Sequence, residues 1–410
     1  VRPILNVAII LHMHQPRYNL AGGASNSETA KEVFEQTMHP YTVPPEVIRG
    51  SREARATFNF TGTLIEQMNE LAAVDFDPRL DGIWEDYGSL EQEGRVELTG
   101  CGYFHPIFPL IPEADRRRQV EMHLEAFEET FGLRPAGFWP PELAFSEDMV
   151  PLLAEAGFQW TVVDEPHLVN ANRDREWHEL LLRPHYLERD GRRVAVVARD
   201  RDISIAQQSG YDPEWLKNKA LLKIQGVPKN LGEDLLLVIA TDGENGWFRH
   251  SGERAGFWGW FFRPLLESLR SDPSFDFINL TTVRGYLRDH PPEDVVRVES
   301  GSWNFEGWPS NGGFGKWTAG KARKKCWKEI ERVSRFLADV GERVGEFGEG
   351  CPNDVGEGLE EARRWLLTAE ASDHFYWGTD EWLNKARLCC AKAMEKGTET
   401  LRLCNSLTRP

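Results

Sequence analysis

The chain has 410 residues, enough for one large α/β core with a smaller appendage and too few for three full domains. Its net charge of −17 argues against a nucleic-acid or anionic-membrane partner, both of which need a basic footprint, and fits a neutral substrate. The six cysteines (Cys101, Cys326, Cys351, Cys389, Cys390 and Cys404) contain no CxxC pair and resemble neither a disulfide framework nor a zinc site, so a reducing, cytoplasmic setting is expected.

The first segment, "VRPILNVAII", is apolar but too short to span a membrane and runs straight into a histidine motif. It reads as a first strand rather than a signal peptide, and the missing initiating Met leaves a removed leader open. Strands are predicted at 5–11, 55–62 and 95–100, followed by a helix with Val120, Leu124 and Phe127 on one face. After "GFWPPE", Ser146 is the expected N-cap of a helix carrying Glu147 and Asp148 in its first turn and Met149, Leu152, Leu153 and Ala156 at helical spacing, with Gly157 ending it. Further strands are predicted at 159–164, 193–200 and 235–242; the last is a near-continuous apolar run of the kind that parallel strands buried on both faces carry.

Polar residues gather after strand after strand: His12 and His14, His105, Glu142, Asp164, Asp200, Asp242 and Glu244. A β/α barrel brings all such ends to one face, whereas an open sheet focuses them at one switch point, so a barrel is expected over 1–300. From Gly301 onward a Gly/Trp-rich loop, "SGSWNFEGWPSNGGFGKW", precedes helical patterns at 318–346, 353–370 and 380–407, read as a bundle packed on the barrel. The fifteen tryptophans are mostly expected as core, with semi-exposed ones beside carboxylates suited to the apolar face of a pyranose.

Asp242 and Glu244 follow a buried strand within "ATDGENGW", where charge is costly to desolvate; they read as acid/base groups or, more plainly, as a solvated loop. Glu142 is held behind Pro140 and Pro141, and Ser146, Glu147 and Asp148 already supply the helix N-terminus with negative charge, leaving Glu142 surplus to that role. Two carboxylates on separate strand ends make the pair that glycosidic cleavage requires. His12 and His14 fall on one side of an extending strand. They can contact substrate hydroxyls, pack in the core, or hold a divalent ion with His105, His167 and Asp242, as in HxH metal-dependent hydrolases. The run "SDHFYWG" interrupts the helical region with an acid and aromatics, which suits a sugar-facing edge or a buried plug.

Five ordered motifs carry a family resemblance: "HMHQP" (12–16), "ELTGCGYFHPIFPLIP" (97–112), "GFWPPELAF" (137–145), "TDGENGW" (241–247) and "AEASDHFYWG" (369–378). Together they resemble glycoside hydrolase family 57, in the form of its α-amylase and amylopullulanase-like members. The resemblance implies a (β/α)7-type barrel with a C-terminal helical bundle completing the active site over 301–410. It further implies a retaining α-glucan hydrolase acting on α-1,4 or α-1,6 linkages, with Glu142 as nucleophile and Asp242 as acid/base. No cofactor or metal is implied, and the partner is an α-glucan or maltooligosaccharide. The expected sugar contacts, from the strand-end pattern and the motifs together, are His12, His14, Gln15, His105, Trp139, Asp164, Asp200, Glu244, Trp247, Trp303, Asp373 and Trp377. Glucanotransferase-type members carry a Glu where this chain has His105, which disfavours transfer. A transglycosylase or branching enzyme on the same site and the HxH metal hydrolase stay open as alternatives.

Overall fold

A computed structural model describes residues 3–20, 28–228, 231–232, 234–244, 256–303 and 313–407. Among the described residues nine strands form one sheet: β1 (Ile4–Met13), β2 (Ala56–Phe60), β3 (Val96–Thr99), β4 (Gly137–Phe138), β5 (Trp160–Asp164), β6 (His185–Arg189), β7 (Arg192–Arg199), β8 (Asp234–Asp242) and β9 (Ile278–Thr281). The hydrogen-bonded order is β3-β2-β1-β8-β7-β5-β4, all parallel. A parallel bridge between Gly100 and Phe138 joins the two ends of that path, through Gly100 N–H to Gly137 O at 2.8 Å and Trp139 N–H to Gly100 O at 2.9 Å. The ring therefore has seven strands, as the (β/α)7 reading requires.

Three strands were not visible in the sequence pattern: β4, of two residues, β6 and β9. β6 forms an antiparallel hairpin with β7 through Asp190 and Gly191, both at positive φ as a two-residue hairpin turn demands. β9 is four residues long and pairs with the first half of β1, where β2 has not yet begun to pair. Alternation along the strands sorts residues cleanly. Ala8, Ile10, Val162, Ala195, Val197, Leu236, Val238 and Ala240 fill the barrel interior with Trp139 and Trp160. Val7, Ile9, Leu11, Leu235, Leu237 and Ile239 face the surrounding helices.

The helices Lys321–Gly345, Asn353–Ala369 and Asp380–Leu407 match the expected helical patterns and share one core around Cys326, Ile330, Leu366 and Cys389. That core also takes in Ile107 and Ala144 from barrel loops, so the bundle sits on the face where the strands end. Among the described residues no helix is long and apolar enough to cross a membrane.

Two local expectations are corrected. Ser146 does not cap backbone N–H groups; its hydroxyl bonds the Asp148 carboxylate, and a short 3-10 turn (Glu147–Met149) precedes the helix Val150–Glu155. The "SDHFYWG" run does not break the helical order: Ser372–Trp377 is itself a short helix, ended by Gly378 at φ +58°. Phe375 is its plug, buried and stacked on Trp327 at 4.1 Å.

Candidate active site

The inward side of each strand continues to its end, and that parity decides which side chains reach the cavity. On β1 and β8 the inward series closes on His12 and Asp242, which are direct register partners. Gly243 lets the backbone beyond β8 close on β1, with its N–H on His12 O at 2.7 Å; a Cβ there would stand 2.3 Å from Met13. A cavity of about 560 Å³ opens above the barrel, lined by His12, His14, Gln15, His105, Glu142, Arg199, Ile205, Asp242, Glu244, Trp303, Asp373, Tyr376 and Trp377. A larger cleft of about 780 Å³ lies between the helix Glu113–Phe131 and the bundle. Its charged wall is engaged in surface ion pairs, such as Arg118 with Glu360 at 3.0 Å, and neither Glu142 nor Asp242 lines it.

Glu142 lies within a tight turn, at φ +58°, followed by Leu143 at φ +47°. Non-glycine residues occupy this region at an energetic cost, and such outliers concentrate at functional sites. The strand-like segment Gly301–Trp303 clamps the turn: Phe145 and Gly301 exchange backbone hydrogen bonds at 2.8 and 3.1 Å, and Trp303 N–H donates to Glu142 O at 3.1 Å. The Trp303 indole N–H donates to Glu142 Oε2 at 2.7 Å. Burial, then the charge of Asp242, pushes the Glu142 carboxyl up to about 8, against the pull of the Trp303 donor. Near neutral pH the substrate-free Glu142 therefore favours its protonated form.

The histidines are layered. Asn59 commits its Nδ2 to Thr99 O and Gly100 O, so its Oδ1, 2.7 Å from His12 Nδ1, accepts the His12 proton. Burial, then the charge of His14, lowers the His12 ring to about 3, so it stays neutral with Nε2 as an acceptor. The His12 ring stacks on Trp139 at 4.9 Å and on His105 at 4.8 Å, and His105 stacks on His14 at 3.9 Å. His14 Nε2 meets Asp373 Oδ2 at 3.0 Å. Burial works to raise the Asp373 carboxyl, but the His14 charge and hydrogen bond outweigh it and hold Asp373 below its ordinary value. Glu244 accepts from the Tyr41 hydroxyl at 2.8 Å and the His14 backbone N–H at 2.9 Å; burial, then Asp242, pushes it up to about 8. Gln15 is tied to Tyr41 and Tyr18 in the same network.

Three expected contacts are not brought to the cavity. Asp164 is inward but wholly buried, accepting from Arg199 Nη1 at 2.8 Å and from Arg201. Asp200 falls one residue past the inward position Arg199; it caps the helix Arg201–Ser209 through Ile203 N–H at 3.0 Å and pairs with Lys223 at 2.6 Å. Trp139 lies beneath the histidines, 1% exposed, and supports His12 from behind. Trp247 lies outside the described residues. His167, one candidate metal ligand, sits instead under Gly301, with Nε2 on Ser302 O at 2.7 Å.

The cavity also contains residues that the sequence reading missed. Arg199 donates from Nε to Ala240 O at 2.7 Å and lies 5.4 Å from the Trp303 ring. Counting parity from Ala195 and Val197 would have found it. Ile205, which carries no sequence signal, and Tyr376, from the aromatic run read as a sugar-facing edge, complete the wall.

The fold and cavity define a parallel-barrel protein with a capping helical bundle and an acid-lined pocket at the carboxyl ends of the strands. The chain belongs to glycosyl hydrolase family 57, whose sequence profile matches residues 8–299. It is 24% identical over 358 residues to an alpha-amylase of Pyrococcus abyssi, covering 85% of this chain and 47% of that protein. It is 25% identical over 309 residues to a 4-alpha-glucanotransferase of Thermococcus litoralis, covering 73% and 41%. The chain thus spans about half the length of the curated relatives it matches. The structure of the alpha-amylase AmyC from Thermotoga maritima superposes with a TM-score of 0.70 at 15% identity, covering 98% of this chain and 96% of that one, and so shares the fold.

Proposed function

We propose that the protein is a retaining α-glucan hydrolase in which Glu142 attacks the anomeric carbon while Asp242 protonates the glycosidic oxygen. The observation that carries this reading is the placement of two carboxylates from different strand ends in one cavity, with Glu142 fixed by a left-handed turn and by the Trp303 indole. Retaining cleavage needs such a pair. A bound sugar would place the glycosidic oxygen at Asp242 and growing positive charge at Glu142, which favours a proton on Asp242 and an ionised Glu142. After departure of the leaving group, Asp242 takes a proton from water, and that water releases the sugar from Glu142. Trp377, 57% exposed at the rim, offers an apolar face to a pyranose, while Asp373 and Glu244 offer acceptors to its hydroxyls.

A second reading, transfer of the glucosyl unit to another sugar, is favoured by one observation. The match to the T. litoralis glucanotransferase is as strong in identity as the match to the amylase. A product profile on maltooligosaccharides, amylose and pullulan separates the two. Hydrolysis yields new reducing ends in step with chain shortening. Transfer redistributes chain length with few new reducing ends. No change in any of the three glucans would contradict both readings.

A further inference from the structure

We propose that Asp164, with Arg199 and Arg201, is the positioning device for Glu142: it fixes Trp303, and Trp303 fixes the carboxylate. The consequence for catalysis rests on the hydrolase reading above; the positioning itself does not.

Asp164 closes β5 and is wholly buried. Its two oxygens are divided between two arginines: Oδ1 accepts from Arg199 Nη1 at 2.8 Å, and Oδ2 accepts from Arg201 Nη1. Both arginines then act outward. Arg201 Nη1 also donates to Trp303 O at 3.2 Å, and the Arg199 guanidinium lies over the Trp303 ring, 5.4 Å from its centroid. Arg199 Nε donates to Ala240 O at 2.7 Å, two residues before Asp242 on β8. One buried carboxylate thus ties the backbone that carries Asp242 to the residue that holds Glu142.

A second observation points the same way: three successive carbonyls are gripped from three places. Gly301 O accepts from Phe145 N–H at 2.8 Å, Ser302 O from His167 Nε2 at 2.7 Å, and Trp303 O from Arg201. The Trp303 ring also meets Trp139 edge-on, at 5.6 Å and 72°.

Packing alone does not account for the triad. Apolar groups of like volume often stabilise a core as well as a buried ion pair does, because desolvation of the charges offsets their attraction. What the triad supplies is direction: a guanidinium held on a carboxylate presents its other N–H groups at set angles. Here Arg201 sets the Trp303 backbone and Arg199 its ring, and the indole N–H meets Glu142 Oε2 at 2.7 Å. A cation over the ring also draws electron density from the indole and strengthens its N–H as a donor. Loss of that donor raises the Glu142 carboxyl, which burial and then Asp242 and Asp373 push up and Lys316 pulls down. Those three charges come from β8 and from the helices Ser372–Trp377 and Gly315–Thr318, outside the triad.

The test uses the whole chain with Asp164→Asn and Arg201→Gln, each checked for folding by circular dichroism and melting. Arg201 is partly exposed, so its variant decides the matter if Asp164→Asn does not fold. With ¹⁵N-labelled tryptophan, the Trp303 indole resonance is identified by its loss in Trp303→Phe. In the parent it should follow the ionisation of Glu142, with a midpoint of about 8, and in both variants the midpoint should move to higher pH. On amylose, kcat should fall roughly tenfold with KM within about twofold, and the acid limb of kcat/KM should move to higher pH with the indole midpoint. In the Trp303→Phe background the same substitutions should cost only about two- to threefold, because the indole is already gone. Equal losses in both backgrounds would overturn the proposal, as would an unmoved indole midpoint in the folded variants. A parent protein that shows the indole titration but cleaves no α-glucan would leave the positioning standing and remove the hydrolase reading.

Discussion

The indole N–H of Trp303 reaches Glu142 Oε2 at 2.7 Å and is a donor that favours the ionised carboxylate. A hydrogen bond to a charged group contributes about 1.5–3 kcal/mol. Trp303→Phe should therefore lower kcat/KM by roughly 10- to 100-fold while the protein melts near its parent temperature. It should also raise the Glu142 pKa further. The proposed mechanism needs ionised Glu142, so the acid limb of the kcat/KM profile should move to higher pH; an unmoved limb would remove Trp303 from the chemistry. The proposed catalytic pair was readable from the sequence, because prolines, a tryptophan and acids follow apolar runs in order. What could not be read was the partner of each acid. Asp164 shares the composition and strand-end position of Asp242, yet Arg199 and Arg201 consume it, and that pairing exists only once β5 and β7 lie side by side.

Strand parity governs the next scale. The positions of β1, β5, β7 and β8 were legible because each is a long apolar run, and inward residues two apart then predict His12, Asp164, Arg199 and Asp242. Asp200 is off by one on that count, which is why it caps a helix instead of facing the cavity. β4 was not legible, because its two residues are too few for a period to show. The approach of the β8 end to β1 gives a direct test. At Gly243 an added Cβ would meet Met13 Sδ at 2.3 Å, so Gly243→Ala should cost about 1–3 kcal/mol, seen as a lower denaturation midpoint. It should also reduce activity, because Asp242 and Glu244 flank the glycine. A variant as stable as the parent would show that the backbone contact is loose.

At the scale of the molecule, barrel and bundle together line the candidate cavity and share a buried acid pair. Asp373 reaches from the bundle to His14, so Asp373→Ala should fold, by circular dichroism, yet lose about two orders of magnitude or more in kcat/KM. A folded, fully active variant would remove the bundle from the site. Glu370, fully buried beside Asp115 and Gln119, is raised well above its ordinary value by burial and then by the Asp115 charge. The folded state thus keeps a proton that the unfolded chain releases. Its contribution to stability is complete below the ordinary glutamate pKa and is lost as pH rises through the raised one. Glu370→Gln, neutral at every pH, should flatten the fall of Tm with rising pH in calorimetric scans; an unchanged slope would assign it to other buried acids. The central claim, covalent catalysis by Glu142, is tested most directly by trapping the glycosyl-enzyme with a slow-turnover fluoroglycoside and mapping the added mass by peptide sequencing. The account predicts one sugar on Glu142, absent in Glu142→Gln. A sugar on any other residue, or release of the inverted anomer with no adduct, would contradict it.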